Sequence, residues 1–356
     1  MIIPSIYYSN NYSFDDEISR VFRENWLFFG FLSEFENKSV IDKNIAGLPI
    51  FLFKDNDQFQ GYFNICPHRG ANLVQNDAYL GTHSMILCPY HNWSFDLETG
   101  NSKNVDNSNL HDSKCTHLHK FKVEAAGNFI FIQLSSNQKM SLNDFLGPEI
   151  LYELSVASDI LDFSNISSKD ISHDCNWKHI VENVIDNKHC GPVHKNTLAK
   201  IGFCNKKPIT QLYEHHSQFI IDPGSLEGAI KRKRLLKKIY KEDDIVDYYK
   251  HILIFPNLTI SIFEGVHYTV GFINPLSNMK TNYETYYLRP FIGDTNISGL
   301  LENSHVQSAL DIFSEDVTML NSLRDNLYKV RLRGELYNDE FRIRHFMDNY
   351  LKFINS

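Results

Sequence analysis

Two short segments of this chain have to meet in space: Cys66-Pro67-His68-Arg69-Gly70 and Cys88-Pro89-Tyr90-His91-Asn92-Trp93. They read C-x-H, a gap of nineteen residues, then C-x-x-H. Each half brings one soft sulfur and one borderline nitrogen, so neither makes a complete metal site alone. A fold that uses them must carry two loops to one centre. The Pro after each Cys stiffens the loop at the point where the ligand leaves it.

Two thiolates with two imidazoles suit a Rieske [2Fe–2S] cluster, in which two His replace two Cys on one of the irons and raise the reduction potential. A structural Cys2His2 zinc site is the rival. Zinc modules usually open with two Cys a few residues apart, whereas here each half is mixed, Cys then His. The plainest reading, four buried residues and no metal, has to explain two independent Cys/His pairs together with Gly70 and Trp93. The iron–sulfur reading is the one adopted: cluster ligands Cys66, His68, Cys88 and His91, in a protein that moves electrons one at a time.

At 356 residues the chain exceeds one ordinary core and is expected to hold two domains. Its 42% hydrophobic and 22% charged content is that of a soluble globular protein. A net charge of −8 argues against nucleic acid as a partner. No run approaches the ~20 apolar residues a membrane span requires. The N-terminus lacks a basic stretch leading into an apolar one, so no signal peptide is expected. Beyond the two motif cysteines, Cys115, Cys175, Cys190 and Cys204 show no disulfide spacing, which suits a reducing cytoplasm.

Along the chain, residues 14–30 carry apolar residues at helical spacing (Ile18, Val21, Phe22, Trp26). Residues 1–37 are therefore expected to be a helical segment packing on the catalytic domain. The period then changes. Pro49 to Phe53 and Gly61 to Asn64 flank the turn Asp55-Asn56-Asp57; Met85 to Leu87 leads into the second motif; Phe121 to Leu134 turns at Gly127-Asn128. Residues 38–135 thus read as an all-β module with the motifs on its loops. Ser135 to Lys139 is a polar linker. Residues 136–356 mix helices and strands: a helix over 177–189, strands over Thr210 to Asp222, His251 to Phe263, Val266 to Asn274 and Thr281 to Arg289, and a long amphipathic helix over 302–328.

A second constellation lies in the segment from Asn176 to His194. Asp186 and His189 are three apart, on one helix face. His189 and His194 are five apart, about 140° round an ideal helix, and would not meet on an unbroken one. Gly191-Pro192 lies between them, so the helix is expected to end near His189 and the turn to swing His194 back. A third ligand is sought in the C-terminal helix, where Ala309, Ile312, Phe313, Leu320, Leu323 and Leu327 form an apolar stripe. Asp316 falls inside that stripe; Glu315 falls on the polar face and is the fallback ligand. A buried carboxylate needs a metal, a cation such as Arg331 or Arg333, or a proton. Two His and one carboxylate form the facial triad of non-haem iron oxygenases. The metal triad expected here is His189, His194 and Asp316.

These motifs, in this order along nearly the whole chain, resemble the Rieske non-haem iron oxygenases, the catalytic α-subunit family of aromatic-ring dioxygenases and related monooxygenases and demethylases. The resemblance implies an α+β chain: an N-terminal Rieske domain followed by an antiparallel-sheet, helix-grip catalytic domain. It implies a terminal oxygenase holding a [2Fe–2S] cluster and a mononuclear Fe(II). Electrons would come from NAD(P)H through a separate reductase or ferredoxin, and O2 would attack a small organic substrate by hydroxylation, dihydroxylation or demethylation. A ring-shaped homotrimer is implied, in which one subunit's cluster feeds its neighbour's iron. Asp186 occupies the position of the family's acid that hydrogen-bonds a histidine at each metal across that interface. The alternative is an electron carrier with a non-catalytic ligand-binding domain. The spacing from Asn183 to Asp186 is closer to single-subunit members acting on quaternary ammonium compounds, whereas Lys188 stands where an aromatic residue often precedes the first His ligand.

Three other groups are set aside. His111, Cys115, His117 and His119 match no metal motif, and strand alternation puts His117 and His119 on one exposed face. His215 and His216 point to opposite sides of a strand. The basic run from Lys231 to Lys238 reads as a solvated helix or flap, the functional alternatives being a docking patch for an acidic ferredoxin or a lid near an anionic substrate.

Overall fold

A computed structural model describes residues 2–9, 13–75, 80–81, 84–104, 116–135, 140–200, 202–222, 227–240, 245–246, 248–292, 296–326 and 335–356. His111, Cys115, the linker positions 136–139, Leu327, Arg331 and Arg333 lie outside them. Two compact units emerge. One is contiguous, Arg23–Leu142; the other combines Met1–Phe22 with Asn143–Ser356.

The contiguous unit is all β. Its strands are β1 (Trp26–Phe31), β2 (Val40–Ile45), β3 (Leu48–Asp55), β4 (Gln58–Phe63), β5 (Leu80–Gly81), β6 (Met85–Leu87), β7 (Ser94–Asp96), β8 (Lys120–Ala126) and β9 (Phe129–Gln133). Six of them form one sheet in the order β1-β9-β8-β4-β3-β2, and β5-β6-β7 form a second. The hairpin turns use residues that accept positive φ, Asn56 at 52° and Gly127 at 59°. Both Cys66 and Cys88 belong to this unit's core, beside Phe51, Tyr62, Ile86, Phe95 and Leu97.

The domain boundary expected at 37/38 lies instead at Phe22/Arg23. Trp26 to Phe31 is not the end of a helix but a strand buried along its whole length and paired with β9. Helix α1 (Phe14–Glu17) and one wider turn to Phe22 complete the helical segment. The second boundary falls at Leu142/Asn143 rather than 135/136.

The other unit carries a seven-stranded antiparallel sheet. In chain order it contains α2 (Leu142–Ile160), β10 (Ser167–His173), α3 (Trp177–Ile185), α4 (Cys190–Val193), β11 (Ile209–Leu212), β12 (Ser217–Ile221), α5 (Glu227–Leu236), β13 (Tyr249–Ile254), β14 (Leu258–Phe263), β15 (His267–Ser277), β16 (Lys280–Leu288), α6 (Asn296–Asn326) and α7 (Phe341–Ile354). The sheet order is β10-β16-β15-β14-β13-β12-β11. Two of the expected single strands are hairpins: 210–222 turns at Tyr213–His216, and 251–263 turns at Phe255–Asn257. Pro256 removes a ladder donor at the second turn. Helix α6 lies against α3 and β16, with Phe313 edge-on to Tyr283 at 5.2 Å.

A buried ion pair fixes the start of α3. Lys178 pairs with Glu17 of α1, both fully buried, and Trp177 Nε1 and Tyr350 Oη also donate to that carboxylate, at 3.0 and 2.6 Å. The Lys178 ammonium lies over the rings of Tyr8, Trp177 and Tyr350 at 5.1, 5.3 and 4.9 Å. The basic run lies on and just after α5, with Lys231, Arg234, Lys237 and Lys238 at the surface.

Candidate functional site: a two-loop sulfur site and a His-His-Asp centre

In the all-β unit the two motif loops repeat one backbone device. Gly70 N–H donates to Cys66 C=O at 2.8 Å, and Asn92 N–H donates to Cys88 C=O at 3.0 Å; both residues have positive φ, 78° and 58°. Each loop is closed by a second bond, Cys66 N–H to Ala71 C=O and Cys88 N–H to Trp93 C=O. Buried Asn64 clamps the return of the first loop, accepting from Leu73 N and Val74 N and donating to Val74 C=O. His68 stacks on Trp93 at 4.4 Å and meets His91 at 4.7 Å. His91 is exposed.

These residues fit the iron–sulfur group. His68 Nδ1 is buried and has no hydrogen-bond partner among the described residues, as a nitrogen kept for a metal would be. Burial, with the Cys88 thiol adding to it, pushes the Cys66 thiol up to about 11, so its thiolate form calls for the positive charge of iron. Zinc would gather all four ligands on one ion. Among the described residues, only His189, His194 and Asp316 offer three ligand atoms within 4.8 Å of one another.

The second centre is built at the end of α3. Asn176 caps the helix, accepting from Lys178 N. The helix stops at Ile185, not near His189: Asp186 adopts an extended conformation, φ −79° and ψ 133°. Pro192 does not break a helix either. It sits in the first turn of the short α4, where its missing N–H is not needed. His189 precedes that turn and His194 follows it. Their Nε2 atoms face each other at 3.1 Å, and each lies 3.5 Å from Asp316 Oδ1.

Carboxylates hold the far side of both rings. Asp186 Oδ2 accepts from His189 Nδ1 at 3.0 Å, and Glu315 Oε2 accepts from His194 Nδ1 at 3.1 Å. With both Nδ1 atoms protonated, the Nε2 atoms carry lone pairs. Two imidazole lone pairs and a carboxylate oxygen then converge, a donor set that could hold a divalent cation. Asp316 is 5% exposed; burial raises its pKa, against the pull of His194, His189 and the Asn183 amide that donates to it at 3.2 Å.

Sequence reasoning placed Glu315 on the polar face. It is instead largely enclosed, accepting also from Asn196 N at 3.0 Å and Thr197 Oγ1 at 2.6 Å. Those bonds hold its carboxyl below the usual range despite burial. Leu323, assigned to the buried stripe, is 44% exposed. Cys190 and Cys204, whose spacing suggested no disulfide, are joined in one that closes the loop containing His194. Lys188 points away from the centre and pairs with Asp339. His215 and His216 are both buried in separate bonds, to Asn349 and to Phe145 C=O, and His117 and His119 are exposed.

A cavity of about 500 Å³ opens over this centre. His189, His194 and Asp316 line one part; Leu198, Phe203, Phe219, Tyr249, Phe263 and Ile312 make much of the rest. Such a volume admits a small organic molecule.

Residues 25–122 match the Rieske [2Fe–2S] domain, and residues 160–356 match the ring hydroxylating alpha subunit (catalytic domain). The carnitine monooxygenase oxygenase subunit of Escherichia coli (strain K12) is 24% identical over 344 residues, 94% of this chain and 86% of that protein. Solved structures share the fold at lower identity. One is a quaternary ammonium Rieske monooxygenase, described with carnitine oxidation and inter-subunit electron transfer (20% identity, TM-score 0.74, 99% of this chain and 94% of that one). Another is naphthalene 1,2-dioxygenase from Rhodococcus sp. bound to indole (19% identity, TM-score 0.72, 99% and 94%).

Proposed function

The chain belongs to the ring-hydroxylating alpha subunits of the Rieske oxygenases and is the terminal oxygenase component of such a system; from that premise we propose how its own residues divide the task. Cys66, His68, Cys88 and His91 hold the cluster, and His189, His194 and Asp316 hold the iron. When bound, these groups supply the redox chemistry: single electrons from the cluster, and O2 activation at the iron for insertion into a C–H or C=C bond. The residues bind, orient and exclude water. Asp186 and Glu315 fix the two imidazoles in the tautomer that leaves Nε2 for the metal. The apolar walls keep the cavity dry around a small organic substrate.

The observation that carries this reading is the pair of Nε2 atoms facing each other beside Asp316. An electron carrier with a passive ligand-binding domain has no use for that centre. A separate reductase or ferredoxin, drawing on NAD(P)H, delivers the electrons to the cluster. The working assembly is a homotrimer, with Asp186 connecting one subunit's iron histidine to the neighbour's cluster. The inter-subunit transfer described for the quaternary ammonium monooxygenase supports this arrangement.

The test mixes two defective chains. Cys88→Ser chains lack the cluster and His194→Ala chains lack the iron, so neither consumes O2 with substrate. Co-assembled, they regain substrate-dependent O2 uptake, because an intact cluster then neighbours an intact iron site. Mixed trimers that form and stay inactive refute transfer between subunits. A wild-type protein that binds two Fe per chain rather than three refutes the oxygenase assignment of the residues.

A further inference from the structure

Register across the sheet places one row of residues under the cavity. Phe219 pairs with His251, His251 with Ser261, and Ser261 with Thr269, on β12 to β15 in turn. All four line the cavity. Behind the first two lies Arg342 of α7, 4% exposed and stacked 4.9 Å over the Phe219 ring.

Arg342 is bonded only to neutral groups. Nε donates to Ser217 Oγ at 3.0 Å, and one terminal nitrogen donates to Ser217 C=O at 3.2 Å and to His251 Nδ1 at 3.1 Å. The other terminal nitrogen is buried and has no partner among the described residues. No described carboxylate stands within ion-pair distance of it. The acids on the cavity wall are Asp186 and Asp316 at the iron centre, Asp311 and Glu264. A buried guanidinium without a counter-charge is unusual, because buried charges are normally paired. Burial brings its pKa down to about 9, so it keeps its proton at neutral pH.

The arginine also sets its neighbour's chemistry. A guanidinium can only donate, so His251 Nδ1 must accept, and the proton of the neutral ring sits on Nε2. Burial and the adjacent Arg342 charge keep that imidazole neutral. Ser261, directly opposite His251, shares a hydrogen bond with Tyr249 Oη at 3.2 Å. Whichever hydroxyl accepts in that pair has its own O–H left to donate. The row and Tyr249 beside it therefore offer an N–H and an O–H to the cavity, backed by a fixed positive charge in a low-dielectric wall.

We propose that this row is an anion subsite, and that the oxygenase takes a carboxylate-bearing substrate held by His251 and the Ser261–Tyr249 hydroxyl pair against the charge of Arg342, with the rest of the molecule reaching the His189–His194–Asp316 centre. The inference rests on the cavity being the substrate site proposed above. Arg342 acts through its field and through the tautomer of His251; it does not touch the substrate.

Binding tests it without asking for turnover, so failure of oxygenation and failure of this subsite give different results. Calorimetry on the metal-loaded protein, with no reductant, compares two acids with neutralised partners: benzoate with benzamide, and γ-butyrobetaine with its methyl ester. In at least one pair the acid binds at least about tenfold tighter, the equivalent of a charge-assisted hydrogen bond. Arg342→Gln abolishes that preference and leaves binding of the neutral partner unchanged, whereas Arg342→Lys keeps it. The inference is overturned if neither acid outbinds its partner, or if the preference survives in Arg342→Gln. The wild-type comparison stands even if Arg342→Gln does not fold.

Discussion

Glu315 and Asp316 are adjacent in sequence and a quarter-turn apart on α6, and the two carboxylates serve different atoms of one centre. Asp316 presents an oxygen to the two His Nε2 atoms, and Glu315 grips the far nitrogen of His194. Glu315→Gln keeps the volume and an acceptor oxygen but loses the charge. Iron affinity should fall about 10–100-fold while the cluster spectrum is unchanged. Asp316→Ala should lose the iron outright. Iron retained in Asp316→Ala and lost in Glu315→Gln would reverse the two roles. That His189, His194 and Asp316 would come together was legible in the sequence, because few side chains bind iron and their spacing is distinctive. The role of Glu315 was not, since a helical wheel ranks faces by their apolar neighbours and says nothing of Asn196 and Thr197 arriving from another segment. His216 gives a second residue-scale prediction. Burial pulls its pKa down to about 3, while the unfolded chain titrates near 6.5. Between those values the unfolded chain holds the extra proton, so this contribution is complete above pH 6.5 and is lost as pH falls toward 3. The slope is about 1.4 kcal/mol per pH unit. His216→Gln removes it, so the stability gap between wild type and variant should narrow by about 2 kcal/mol from pH 6.5 to 5 in denaturant titrations. A constant gap would show that His216 does not stay neutral.

Helix α3 leads into the segment that carries Asp186, His189 and His194, and its footing is the buried Glu17–Lys178 pair. Removing one partner leaves the other charge enclosed in aromatic rings, which costs about 3–5 kcal/mol. Glu17→Gln should lower the unfolding free energy by that amount. Glu17→Gln combined with Lys178→Met should recover most of it, because no unpaired charge remains. If the double variant is as unstable as the single one, the loss comes from packing. The elements themselves were unevenly legible. Hairpins with Asn or Gly at the turn were evident from the sequence. The expected strands 210–222 and 251–263 were not divided: Tyr213-Glu214-His215-His216 carries no Gly, Pro, Asn or Asp to mark a turn, and the Pro256-Asn257 signal was passed over in the second. Likewise α3 extends less far than its periodicity, since the Asp186 carboxylate bonds Lys188 N and His189 instead of continuing the ladder.

For the molecule as a whole, the two-domain division and the motif order were legible, and the first boundary was not. Trp26 to Phe31 is buried on both faces, and such a run has no strand period to distinguish it from the end of the preceding helix. Moving that boundary to Phe22/Arg23 makes the catalytic unit discontinuous. Its first residues are synthesised before the all-β unit, and its last only when α7 is complete. Glu17, made before the all-β unit, must wait for Lys178 and finally for Tyr350. The all-β unit has no such dependence and can close while the ribosome is still extending the chain. Assembly therefore has an order, cluster unit first and iron unit last. A chain ending before Phe341 should show the cluster's visible spectrum and hold no mononuclear iron. Full iron loading in that truncated chain would refute the order.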